Sequence, residues 1–275
     1  QIFLLVIVFV ASVFSGMGVL VARFAGAGDH AKVNRAVYQA FLTAVFMALG
    51  VLAPLGYFVA PAMLKLINAA PEVQVEALPY IRVMFVFSIG MLIFFMMSGA
   101  LRSAGDARTP LRLGVVMTVL NIVLNVVLIR GLGPIPAFGT LGAAMGTAIA
   151  SGITGAAFLW LLFSGRLVIH FTRNMSFAPD WGIIRELFRF GLPTGFQGIV
   201  MNIGGVLLLR FVGSLEYSAE AQAAYTVGYT ELFALITFTS VGLMGATAAV
   251  AGQNLGAGHP ERSKHAAFVA ASIGI

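Results

Sequence analysis

The chain has 275 residues, of which 60% are hydrophobic and only 9% charged, and its mean hydropathy is +0.98. That charge content is about a third of the roughly 25% usual for soluble domains, so composition excludes a soluble globular fold and points to an all-α polytopic membrane protein. The absence of cysteine excludes disulfides and thiolate metal sites.

A hydrocarbon core about 30 Å thick needs about 20 apolar helical residues. In chain order the qualifying runs are 3–22, 37–60, 80–101, 111–129, 141–163, 190–211 and 224–250, and an eighth begins near Ala266. Seven spans and the start of an eighth are therefore predicted. Pro54, Pro61 and Pro193 lie in or beside runs, where they kink or end helices. Both ends of the sequence fall inside apolar runs, and the first lacks the basic flank and clear cleavage site of a signal peptide.

Basic residues alternate from loop to loop. Loops after odd-numbered runs hold twelve, including Arg23, Lys32, Arg102, Arg166 and Arg262, whereas those after even-numbered runs hold four: Lys65, Arg82, Arg130 and Arg210. Lys and Arg bias marks the cytoplasmic side, so the first run is predicted to descend inward across a cell (inner or plasma) membrane. The net charge of +6 then reflects topology. No basic run with interleaved aromatics points to nucleic acid, and no P-loop points to ATP. His30, His170, His259 and His265 show no metal-ligand spacing, and no cofactor is expected.

Two boxes repeat 230 positions apart. Val21-Ala22-Arg23-Phe24-Ala25-Gly26-Ala27-Gly28 and Ala251-Gly252-Gln253-Asn254-Leu255-Gly256-Ala257-Gly258 each close an apolar run with Gly-Ala-Gly, and a base follows six residues after the first glycine, Lys32 or Arg262. A repeat of this length implies two copies of one structural unit. Six runs separate the boxed hairpins, an even number, so the copies point the same way through the membrane, as in parallel-repeat transporters. The expected organisation is a first lobe over 1–172, a cytoplasmic linker over 173–186 and a partial second lobe over 187–275. Extrapolating the repeat adds one helix before Gln1 and three to four after Ile275, completing a fold of twelve spans.

Several segments resemble multidrug and toxic compound extrusion (MATE) transporters. Gly99-Ala100-Leu101-Arg102-Ser103-Ala104-Gly105-Asp106-Ala107-Arg108-Thr109-Pro110 is similar to the loop after that family's fourth helix, and Asn121-Ile122-Val123-Leu124-Asn125 followed by Leu141-Gly142-Ala143-Ala144 to its fifth and sixth helices. Phe190-Gly191-Leu192-Pro193 resembles the entry to its seventh helix, and the second box the loop after its eighth. The resemblance implies a two-lobe antiporter, not an enzyme, which expels amphipathic and often cationic compounds in exchange for Na⁺ or H⁺. Alternating exposure of a central cavity is the implied mechanism and a monomer in the bilayer the expected state. A lipid-linked oligosaccharide flippase of the same superfamily would need a more basic cavity. A membrane enzyme would need clustered His, Asp or Glu at the membrane surface.

Asn121 and Asn125 lie four apart on one helix face. Their amide oxygens suit Na⁺ or a protonated carboxyl, or they glue helices together. The resemblance places this pair in the first lobe's cation site, where the second position can be Asp; here it is Asn125. It associates Thr147 with the same site. Ser151 and Thr154 continue the Thr147 face. The family's essential first-helix acid would precede Gln1, and its second-lobe acid matches a position near Met201, leaving Gln197 and Asn202 as the polar groups of that helix. Glu231 is the one acid well inside an apolar run. It either carries a proton or a cationic substrate, or reaches the outer interface. Gly142 and Gly146 allow close helix packing. Arg102, Asp106 and Arg108 read as anchors at the membrane surface. Phe94, Phe95, Met96 and Met97 are expected to meet lipid or neighbouring helices.

Overall fold

The computed structural model describes residues 2–66, 71–171, 176–212, 214, 221, 224–225, 227–228 and 233–274. The described helices are α1 (Ile2–Gly26), α2 (His30–Phe46), α3 (Ala60–Leu66), α4 (Pro71–Val86), α5 (Ile89–Ser103), α6 (Arg108–Arg130), α7 (Gly139–Phe163), α8 (Trp181–Val212), α9 (Phe233–Gly256) and α10 (Pro260–Gly274). The described secondary structure is helical apart from one isolated bridge, Leu132 to Ile135, in the α6–α7 connection. The all-α membrane architecture follows, because backbone groups in hydrocarbon must find partners within their own segment.

Among the described residues, four stretches are long and apolar enough to cross a bilayer: His30–Ala62, Arg108–Arg130, Gly139–Phe163 and Trp181–Val212. The bent pair Gln74–Val86 and Ile89–Ser103 makes a fifth, and Ser12–Gly26 is a shorter apolar helix. The stretch from His30 passes through two π-helical segments, Met47–Leu52 and Leu55–Val59, on either side of Pro54. Proline has no N–H to donate, and the i→i−5 bonds of Ala53 to Ala48 and Ala60 to Leu55 carry the helix past it. The run predicted over 80–101 is instead two helices meeting at 50°. The bend adjoins Gly90, where a Cβ would lie 2.6 Å from Gly152 Cα, so the break sits beside the α5–α7 crossing.

One core cluster draws on α1, α2, α5 and α7. Val13, Met17, Leu20 and Val21 recur at helical spacing on α1 and pack with Val33, Val37, Ile93, Phe94, Met96, Met97, Phe158 and Leu162. Phe94, Met96 and Met97 are therefore interior, while Phe95 is 47% exposed.

The two Gly-Ala-Gly boxes fold alike. Asp29 N–H donates to Phe24 O (3.0 Å) and His259 N–H to Asn254 O (2.8 Å); Gly28 N–H reaches Ala25 O and Gly258 N–H reaches Leu255 O, both at 3.1 Å. Gly28 and Gly258 take φ of 72° and 79°, the left-handed helix stop that glycine adopts without strain. The next helix starts at His30 in one copy and Pro260 in the other.

The connection from α7 to α8 is clamped to α2. Buried Gln39 donates from Nε2 to Ala178 O (3.0 Å) and accepts at Oε1 from Asp180 N–H (3.1 Å). Tyr38 Oη donates to Phe177 O (3.0 Å), Asn34 Oδ1 accepts from His170 N–H (3.1 Å), and Arg35 pairs with Asp180 at 2.7 Å. Asp180 also accepts from Gly182 and Ile183 N–H, so α8 starts at Trp181, inside the stretch expected to be linker.

Asp106 performs the same task for α6, accepting from Arg108 and Thr109 N–H, each at 3.0 Å. Burial pushes its carboxyl up, but the bonds from the Thr109 hydroxyl and N–H and from Arg108 N–H outweigh this and hold it below its ordinary 3.8. Its contribution is therefore complete above pH 3.8 and lost as pH falls through the lowered native value. The thermal stability gap between wild type and Asp106→Asn should narrow as pH falls below that point; a gap that is constant with pH would contradict the assignment. Replacing Gln39 with Leu strands Ala178 O and Asp180 N–H. It should cost about 2 kcal/mol, read as a lower unfolding midpoint in detergent. An unchanged midpoint would show that the clamp contributes nothing.

Candidate functional site

α6 and α7 lie against each other along the glycine spacing at 142 and 146. A Cβ at Gly142 would sit 2.6 Å from the Leu128 carbonyl carbon, so the backbones touch. Gly146 faces Asn125: a Cβ there would collide with Asn125 Oδ1 and lie 3.2 Å from its Cγ. The absent side chain at Gly146 is what makes room for the Asn125 amide.

At this crossing three polar side chains form a relay. Asn125 Nδ2 donates to Asn121 Oδ1 (3.1 Å), Asn121 Nδ2 donates to Thr147 Oγ1 (3.0 Å), and Thr147 Oγ1 donates to Ala143 O (3.0 Å). Donation runs one way, from Asn125 to Ala143 O, and Asn125, which starts the relay, keeps its own Oδ1 buried and without a hydrogen-bond partner. A buried acceptor left open costs free energy unless something fills it. Asn125 Oδ1 is thus an uncharged hard oxygen that can accept a small cation or an O–H or N–H donor, whereas Asn121 Oδ1 and Thr147 Oγ1 already accept within the relay.

Of the residues singled out by sequence, Asn121, Asn125 and Thr147 come together. Ser151 and Thr154 do not join them. Both are buried, and their hydroxyls bond to their own helix at Ala148 O (3.1 Å) and Ala150 O (2.9 Å). Gln197 is exposed on α8. Glu231 and the side chain of Asn202 lie outside the described residues. No group of three or more His, Cys, Asp or Glu that could hold a metal occurs among the described residues.

Sequence reasoning missed Gln39 and Gln253. Gln39 stands inside an otherwise apolar run, a signal that reads equally as helix glue. Gln253 Nε2 donates to Ser103 O (2.8 Å), a partner 150 positions away that no local pattern reveals.

Residues 1–127 and 193–275 match the MatE family. The chain belongs to the MatE family. Both boxes, Asn121 and Asn125 fall within the matched segments, whereas Thr147 lies between them. Among MatE relatives, the probable multidrug resistance protein YoeA of Bacillus subtilis is 28% identical over 264 residues, covering 95% of this chain and 56% of YoeA. The probable multidrug resistance protein NorM of Thermotoga maritima is 29% identical over 232 residues, 83% of this chain and 48% of NorM. The fold is similar to that of a solved structure described as the outward-facing conformation of a multidrug resistance MATE family transporter of the MOP superfamily, with a TM-score of 0.83 at 24% identity over 99% of this chain and 59% of that one. The chain thus spans about half the length of the curated relatives it matches.

The relay makes a stability prediction. Thr147→Val removes the acceptor for Asn121 Nδ2 and should cost about 0.5–1.5 kcal/mol, whereas Ser151→Ala breaks only a bond within its own helix and should cost less. Equal shifts in detergent unfolding midpoints would reject the interhelical relay.

Proposed function

We propose that this chain belongs to a secondary antiporter that exports amphipathic organic cations in exchange for Na⁺ or H⁺. The observation that carries the reading is the open, buried Asn125 Oδ1 at the start of the Asn121–Thr147 relay. An incoming Na⁺ would be met by a neutral oxygen there. In proton coupling, a protonated carboxyl would instead donate to Asn125 Oδ1. Either event favours the conformation in which Asn125 Oδ1 is open to it, and substrate favours the other, which is coupling by differential affinity.

Family membership supports a part in drug efflux, since relatives carry the name probable multidrug resistance protein. The absence of formal charge at Asn121, Asn125 and Thr147 supports a site that holds a cation only weakly and releases it on each cycle. Loop charge bias supports a multi-pass protein of the cell membrane with both boxes in the cytoplasm. No nucleotide is assigned a part.

Membrane vesicles carrying the full-length protein should extrude ethidium when a Na⁺ or H⁺ gradient is imposed. Asn125→Ala should weaken the dependence of efflux on that gradient by roughly tenfold, the equivalent of one to two lost polar contacts. Export that needs ATP and ignores both gradients would overturn the antiporter reading. Unchanged ion dependence in Asn125→Ala would return the relay to a purely structural role.

A further inference from the structure

A cavity of about 460 Å³ opens beside the first box, between the end of α1, the start of α8 and the end of α9, a size within the roughly 300–1,000 Å³ of small-molecule sites. Four charged side chains line it: Arg23, Asp29, Lys32 and Glu186. Two of them are already matched. Lys32 Nζ pairs with Asp29 at 2.9 Å, and Asp29 also accepts from Lys32 N–H at the start of α2. The other two are not. Among the described residues neither the Arg23 guanidinium nor the Glu186 carboxylate has an ion-pair or hydrogen-bond partner, and they do not pair with each other. The cavity therefore presents one unpaired cation and one unpaired anion, held on different helices.

Next to these charges the walls turn apolar in the direction of the membrane. α1 ends at the cavity and α8 starts there, so Leu20, three residues before Arg23, and Phe190, four after Glu186, both lie further along the spans. At 1.5 Å per residue they sit about 4.5 and about 6 Å deeper than the charges. α8 has 32 residues, about 48 Å of helix against a hydrocarbon core of about 30 Å, so its first turns extend beyond the hydrocarbon. Arg23 directly follows the apolar run 3–22, and Glu186 precedes the run 190–211 by one turn. The two free charges are thus at headgroup depth. Phe190 and Leu255 are 39% and 55% exposed, which leaves the apolar walls accessible to acyl chains. The Arg23 backbone is fixed: a Cβ at Gly256 would lie 2.8 Å from its carbonyl carbon, and a Cβ at Gly26 2.5 Å from that of Gln253, the same contact under the 230-residue offset.

We propose that this cavity binds one phospholipid with a primary-ammonium headgroup, a phosphatidylethanolamine, whose phosphate meets Arg23 and whose ammonium meets Glu186. The inference goes beyond the antiporter reading and does not depend on it. Charge complementarity selects the headgroup. Arg23 offers N–H donors suited to a phosphate, and the Glu186 carboxylate accepts from an ammonium N–H. A trimethylated ammonium has no N–H to give, so phosphatidylcholine satisfies Arg23 alone. Phosphatidylglycerol brings the same phosphate with no cation, and its negative charge meets Glu186 uncompensated. The acyl chains lie along Leu20, Phe190 and Leu255.

The test is native mass spectrometry of the delipidated full-length protein, titrated with dioleoyl phosphatidylethanolamine, phosphatidylcholine or phosphatidylglycerol. Wild type should retain one phosphatidylethanolamine at concentrations roughly fivefold below those needed for either other lipid, the size of one exposed ion pair. Equal retention of all three overturns the proposal. Glu186→Gln should abolish the preference over phosphatidylcholine and improve phosphatidylglycerol binding; an unchanged preference overturns the assignment of the ammonium. Arg23→Gln should weaken all three lipids roughly fivefold, whereas Arg185→Gln, an exposed base outside the cavity, should not. Equal effects of these two variants would mean general surface attraction and would also overturn the site. Free phosphoethanolamine, the headgroup without chains, should not displace the lipid at equal concentration; if it does, the ligand is a soluble zwitterion and the phospholipid assignment falls. All these readouts are independent of transport, so their failure and a failure of gradient-driven efflux are told apart.

Discussion

The arrangement depends on how closely α1 can be approached. This helix meets α2 and α5 through the side chains of the core cluster, and α8 and α9 through close backbone approach at glycines. A Cβ at Gly16 would lie 3.0 Å from the Leu187 carbonyl carbon, one at Gly191 2.8 Å from the Ser12 carbonyl carbon, and the box glycines close the same helix against α9. Inside a bilayer, lipid tails are as apolar as leucine, so burial gives little reason for one helix to prefer another. Dispersion at short range decides, and small residues set where short range is reached. The glycine positions on α1, α8 and α9 therefore select which faces meet, and the larger side chains of the core cluster fill what remains.

Polar groups in this apolar setting divide by how fully they are satisfied. Gln39 has both ends of its amide engaged with the α7–α8 connection, and Asp180 caps α8 while pairing with Arg35. Those groups hold a chain segment in place. Asn125 differs, because its donor is engaged and its buried acceptor is not. The same chemical group serves structure when closed and offers a binding position when open. That difference separates the Asn121–Asn125–Thr147 relay from Ser151 and Thr154, whose hydroxyls are used by their own helix.

The duplication links these two themes. Equivalent boxes end α1 and α9 with the same hydrogen bonds and the same left-handed glycine, so each presents the same knuckle of backbone at the same end of the fold. Two such knuckles related by a local axis fit one another without further design. Gln253, in the second box, also bonds to Ser103 O and so ties that box to the end of α5.

Composition and hydropathy by themselves determined that the chain is helical and crosses a membrane, because in hydrocarbon no other open-ended segment satisfies its backbone. The runs at 111–129 and 141–163 fall within α6 and α7 for that reason, and the box repeat and the Asn121–Asn125 face were readable as patterns of identity and spacing. Other features were not readable. The 50° break before Gly90, the π-helical passage around Pro54 and the start of α8 at Trp181 each depend on contacts or register that hydropathy does not encode. Side-chain chemistry named Asn121, Asn125, Thr147 and Ser151 alike. Only the packing of α6 on α7 at Gly142 and Gly146 decided that three of them are linked by hydrogen bonds and that one oxygen stays open, since satisfaction of a hydrogen bond is a property of a pair of groups, and sequence specifies them one at a time.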